Sequence, residues 1–129
     1  MARRRGTARL SQTSWLTSAA PPFPDESFWH VVFDPPHLND VGDNAWMAKK
    51  YGKLPKDWKP LVRDGFRECW RVLKTNGTLI FKWNETQIPV KDVIKCIGVS
   101  PLYGHKSGRL SKTHWMAFVK LQSTRIPNP

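Results

Sequence analysis

Six residues of mainly apolar character, Phe28 to Phe33, run directly into Asp34-Pro35-Pro36-His37. This junction limits what the chain can fold into more than any other feature. A near-continuous apolar run, interrupted by His30, reads as a strand buried on both faces, and such strands belong inside α/β sheets. Both prolines lack an N–H and hold φ at about −65°, so the strand cannot extend the ladder past Asp34. What remains at its carboxyl end is a carboxylate, backbone carbonyls and the flat ring of His37. Ligands of open α/β sheets bind at that end of the strands. A stiff group of acceptors beside a ring suits a planar group carrying an NH2. The plain alternative for Asp34 is a turn or helix-capping acid.

A chain of 129 residues, 40% hydrophobic and 12% aromatic, accommodates one domain with a modest core. No apolar stretch approaches the roughly 18 residues of a membrane span. Cys69 and Cys96 fall in predicted helices without metal-ligand spacing and read as reduced thiols, which fits a cytoplasmic protein. His30, His37, His105 and His114 likewise lack metal-like spacing, and no zinc is expected.

The formal charge of +11 is unevenly placed. Residues 1–20 carry four arginines and no acid, whereas residues 21–46 hold five acids and no lysine or arginine. From 47 to 82 there are ten basic residues against three acids, and from 83 to 129 seven against two. A basic body around an acidic centre suits a polyanion that delivers a neutral or cationic group to that centre. The plain alternative is a soluble basic domain.

Residues 1–21 read as a basic leader without periodicity, 22–121 as the folded domain and 122–129 as a tail. The leader's composition also fits an organelle transit peptide, though a truncated or mis-assigned start is the favoured reading. A polar segment spans 38–58, with a short helix expected over Ala45–Lys50. From Pro60 the spacing of Val62, Phe66, Cys69, Trp70 and Leu73 predicts a helix, with Gly77 as its stop. Thr78–Trp83 reads as a strand, Ile88–Ile97 as a helix, and Val99–Tyr103 and Thr113–Leu121 as strands joined across the basic loop Gly104–Lys112. The order is β-α-β-α-β-β, with a parallel crossover and a terminal antiparallel hairpin.

With these elements in place, the chain resembles the carboxyl-terminal half of a class I S-adenosylmethionine-dependent methyltransferase. More narrowly it is similar to the enzymes that methylate adenine N6 or cytosine N4, including small phage and bacterial relatives. The marker of that family is (Asp/Asn/Ser)-Pro-Pro-(Tyr/Phe/Trp) at a strand end, present here as Asp34-Pro35-Pro36-His37. The Val72-Leu73-Lys74-Thr75-Asn76-Gly77-Thr78-Leu79 passage and the closing hairpin match the same half, over residues 22–121. Two departures stand out: His37 takes the aromatic position, and no glycine-rich first turn or acid-tipped second strand precedes the domain. The resemblance therefore implies a partial Rossmann-like fold lacking its first three strands. The edge of the first strand would be open, covered by a second copy or a partner chain.

The resemblance implies a cofactor, S-adenosylmethionine, held in part by Phe33, Asp34 and Pro35, and an acceptor amine on a nucleic-acid base, DNA ahead of RNA. Asp34 and the Pro35 carbonyl would accept the two amine hydrogens, while Pro36 stiffens the turn and His37 stacks on a flipped base. Lysines Lys49, Lys50 and Lys53 with Tyr51 supply phosphate and stacking contacts, against the alternative of a solvated lysine-rich loop. Asn84, after the second strand, is the residue there expected to touch ligand. His105, Lys106 and Arg109 form a phosphate clamp, although for His105 and His114 a loop or packing role is the ordinary reading. Two other functions stay open: a non-catalytic nucleic-acid-binding or regulatory subunit, and a small enzyme handling S-adenosylmethionine without a nucleic-acid acceptor.

Overall fold

The computed structural model describes residues 23–38 and 54–122, together with the backbone of 7–10. Its elements are β1 (Thr7–Leu10), β2 (Phe28–Phe33), α1 (Lys59–Val72), β3 (Leu73–Asn84), α2 (Val90–Ile97), β4 (Tyr103–Lys106) and β5 (Thr113–Val119). They form a mixed α/β fold around a five-stranded sheet of order β1-β2-β3-β5-β4. Strands β1, β2 and β3 are parallel, and β5 runs antiparallel to both β3 and β4. The parallel crossover and terminal antiparallel hairpin expected from the pattern are both present.

The open edge expected on Phe28–Phe33 is occupied. Residues Thr7 to Leu10 pair with His30 to Phe33, so the segment read as a leader supplies a strand. Four residues are too few for a period-2 pattern to stand out. Pairing is decided instead by the free N–H and C=O groups that an unpaired β2 would present.

Alternation sends Val31 and Phe33 of β2, Leu79, Phe81 and Trp83 of β3, and Met116 and Phe118 of β5 to one face, all of them buried. Helix α1 lies on that face. Its Phe66 ring sits 6.0 Å from Phe81, 5.2 Å from Phe118 and 5.6 Å from Trp70. Helix α2 adds Val93 and Ile97 to the same cluster. It begins at Val90, two residues later than expected, because Pro89 stands in the capping position and Ile88 is buried as a wall of the core. Gly98 ends α2 with φ 77°, the left-handed conformation glycine adopts without steric cost.

The end of α1 departs from the sequence pattern. The helix stops at Val72, not near Gly77, and β3 starts at once with Leu73. The last carbonyls find tertiary partners. Glu26 N–H donates to Arg71 O at 2.9 Å and Ser27 N–H to Val72 O at 2.8 Å, while Lys120 Nζ donates to Trp70 O and Leu73 O, both at 2.7 Å. With every terminal acceptor satisfied from outside, another helical turn gains nothing. The Asn76-Gly77 pair lies instead in an irregular stretch of β3, where the register with β2 jumps from Leu73 to Thr78. Asn76 has φ 72°, and its N–H donates to Lys120 O at 2.6 Å. A Cβ at Gly77 would stand 2.7 Å from Trp29 O and 2.8 Å from Lys74 O, so only glycine fits there.

The first strand of the hairpin is also displaced, from the expected Val99–Tyr103 to Tyr103–Lys106. Pro101 has no N–H to give, and pairing begins where Leu102 N–H reaches Ala117 O at 2.7 Å. The short helix expected over Ala45–Lys50 lies outside the described residues, as does the tail from 123 onward.

Candidate functional site

The register of the three parallel strands creates the site. Leu10 pairs with Phe33, and Phe33 pairs with Phe81, so β1, β2 and β3 bring their carboxyl ends to one rim of the sheet. The Asp34-Pro35-Pro36-His37 turn stands at the middle of that rim. Asp34 is only 5% exposed, and both prolines are buried beside it. A carboxyl group buried this deeply needs partners, and Asp34 has an interaction within the protein. Beyond the turn, Leu38 O accepts Leu54 N–H at 2.8 Å, which ties the two ends of the intervening segment together.

His37 is half-buried, its ring 6.4 Å from that of Trp83 at 77°, an edge-on contact. Burial lowers its pKa below the ordinary histidine value, Asp34 opposes that shift, and Lys82 adds to it. The neutral ring is favoured. Trp83 is itself fixed: its indole N–H donates to Ile88 O at 2.9 Å, and the Trp58 ring lies 6.4 Å away. A wall of aromatic rings therefore stands behind the turn.

The parallel pairing of β2 and β3 brings Lys82-Trp83-Asn84-Glu85 to the same rim as Asp34, as the sequence required if the strands were parallel. Asn84 is used within the protein. Its Nδ2 donates to Thr113 Oγ1 at 3.1 Å, and its Oδ1 accepts the Thr86 N–H at 3.0 Å and the Thr86 hydroxyl. This bracing fixes the corner between β3 and α2. Glu85 and His114 form a close side-chain pair beside it.

Phe33 is completely buried and shapes the turn from below. Lys49, Lys50, Tyr51 and Lys53 lie outside the described residues. His105 and Lys106 are exposed on β4, and Arg109 is exposed in the turn that follows. Thus Asp34, Pro35, Pro36 and His37 form one group with Trp83, while His105, Lys106 and Arg109 belong to the hairpin. Trp83 and Lys82 were not singled out as site residues from the sequence. The available signal was positional: Lys82 and Trp83 close the strand parallel to β2.

A cleft of about 620 Å³ between the start of α1 and α2 is lined by Trp58, Lys59, Ile88 and Asp92. It shares Trp58 with the aromatic wall but does not include the turn. Among the described residues no three histidine, cysteine or acidic side chains form a metal-holding group, and no helix is long and apolar enough to cross a membrane.

No protein-family model matches the chain, and no curated protein matches it. Among solved structures it is similar to a predicted O-methyltransferase, protein Atu636 from Agrobacterium tumefaciens, with a TM-score of 0.46 and 16% identity. That likeness covers 93% of this chain and 55% of the other, so the chain spans about half the length of that protein.

Proposed function

We propose that this chain is a methyltransferase domain that directs a methyl group to the exocyclic amine of a nucleic-acid base, adenine N6 or cytosine N4. The observation that carries the reading is the buried Asp34-Pro35-Pro36-His37 turn at the shared carboxyl rim of three parallel strands. The residues fit the reacting end of S-adenosylmethionine: a carboxyl group in a tight, aromatic-backed corner complements a sulfonium. Asp34 and Pro35 are the residues that would border it, with Phe33 supporting them from below. Bound there, this cofactor would supply an electrophilic methyl group and depart as the neutral thioether left when the sulfur–methyl bond breaks.

The protein's own task is to make a poor nucleophile attack. The lone pair of an exocyclic amine is delocalised into its ring. Asp34 and the Pro35 carbonyl accept the two amine hydrogens, which draws the nitrogen towards tetrahedral geometry and frees the lone pair. A carboxylate offers about four acceptor sites, so Asp34 can keep its contact within the protein and still receive the amine. The amine proton passes to Asp34 and then to water. His37 covers the face of the base, and the rigid prolines hold the geometry without reorganisation. A base in a duplex must first leave the stack.

The test is transfer of tritiated methyl from S-adenosylmethionine to single- and double-stranded DNA and RNA, followed by nucleoside analysis. Asp34→Ala should lower transfer by about a hundredfold or more while nucleic-acid affinity stays within about twofold. No transfer to any of these acceptors, with no cofactor binding at millimolar concentration by calorimetry, would sink the reading.

A further inference from the structure

The sheet has a second face, and its character is unlike the first. Alternation sends Val32 of β2, Ile80 and Lys82 of β3, Trp115 and Ala117 of β5, and Tyr103 and His105 of β4 away from α1. Six of them, Val32, Ile80, Tyr103, His105, Trp115 and Ala117, line a cleft of about 550 Å³. We propose that this cleft binds single-stranded nucleic acid, with bases stacked on Tyr103 and Trp115 and phosphates held by Lys82 and the basic turn between β4 and β5. The inference deepens the nucleic-acid reading of the acceptor and rests on it for the direction in which the strand leads.

Geometry supports a stacking platform. Tyr103 is 65% exposed, although aromatic rings of that size usually seek cover. On the neighbouring strand the Trp115 indole N–H donates to Ser107 Oγ at 2.6 Å, which fixes the ring plane. His105 pairs directly with Trp115 across the two strands. Lys82 Nζ lies 5.3 Å from the Trp115 ring centre, and Lys82 is also close enough to His37 to bias its protonation. One flexible cation thus borders both the cleft and the methyl-acceptor corner. A strand lying across Trp115 is led towards Asp34.

Charge selects the occupant. No acidic residue occurs anywhere between 93 and 129, and the turn between β4 and β5 carries Arg109 and Lys112. No acid occurs among the described residues of this face either. Two copies of the chain packed through it would bring like charges together. Exposed rings beside cations are what a single strand needs: every base has a face to stack, and every phosphate a charge to neutralise.

The test uses the full chain and a labelled twelve-nucleotide deoxythymidine strand, read by fluorescence anisotropy. Three cations, Lys82, Arg109 and Lys112, with a slope of about −0.7 per phosphate, give roughly twentyfold weaker binding when salt rises from about 50 to 200 mM. Tyr103→Ala should weaken binding about tenfold with an unchanged melting temperature, and Tyr103→Phe should restore it. An abasic strand of equal length should bind at least about tenfold more weakly than the thymidine strand. Equal affinity for the abasic strand or for polyglutamate, or no response to Tyr103→Ala, overturns the proposal. So does a dimer in sedimentation that Tyr103→Ala dissociates. Tyr103-dependent binding without methyl transfer would remove the enzyme reading and leave the cleft. Methyl transfer indifferent to Tyr103 would do the reverse.

Discussion

The two faces of one sheet are built from alternate residues of the same strands, yet they follow opposite rules. Beneath α1, Phe33, Phe81 and Phe118 are almost wholly buried and interlock with Phe66. On the other side, Tyr103, Trp115 and Lys82 stand among half-buried aliphatic residues, with ring and cation in contact. Tyr103 is exposed there, while Trp115 and Lys82 are half-buried. The difference separates residues that hold the fold from residues free to meet a ligand.

Paired truncations give the largest test of that division. Phe66→Ala should cost about 3–5 kcal/mol in urea unfolding, because it opens a cavity between four aromatic rings. Tyr103→Ala should change stability by less than about 0.5 kcal/mol. Similar losses at the two sites would mean that the second face is also structural. Gly77→Ala is next in size. Its methyl group would meet two backbone oxygens and Leu73, so a loss of about 1–3 kcal/mol is expected at a position no ligand touches. Full stability in that variant would show that the β2–β3 irregularity yields easily.

Much of the first face was legible in the sequence and little of the second. Val62, Phe66, Cys69 and Trp70 recur at helical spacing, and the apolar run Val31-Val32-Phe33 with its Pro-Pro stop announces a buried strand and a site at its end. The covered face is written in hydrophobic period, which is local. The end of α1 is not local: it depends on Glu26, Ser27 and Lys120, which lie far away in the chain, and Asn76-Gly77 imitated a helix stop while serving a bulge. Strand β1 was missed because four residues carry too little pattern. Tyr103 and Trp115 become neighbours of one face only once the hairpin register is known. Within the candidate site, the turn was legible but its backing by Trp83 and Trp58 was not, since ring contacts follow from packing.

Lys120, the residue after β5, ties the end of that strand to the helix on the covered side. Replacing it with methionine keeps the aliphatic stem but removes both bonds to Trp70 O and Leu73 O. A loss of about 1–2 kcal/mol is expected, with arginine recovering part of it. No loss would mean that water serves those carbonyls equally well.

The smallest expected effect concerns His37, at the rim where both faces end. Burial lowers its folded-state pKa below the unfolded value, with Asp34 opposing and Lys82 reinforcing the shift. As pH falls through about 6.5, the unfolded chain takes up a proton that the folded chain still refuses, so stability declines. The contribution is fully present above that pH and is lost as pH falls through the depressed folded value. His37→Phe keeps a ring against Trp83 and removes the titration. Urea midpoints at pH 7.5 and 5.5 should therefore differ less in the variant than in the parent chain. The other histidines are the same in both proteins and cancel in the comparison. Equal differences would show that burial does not hold the His37 ring neutral.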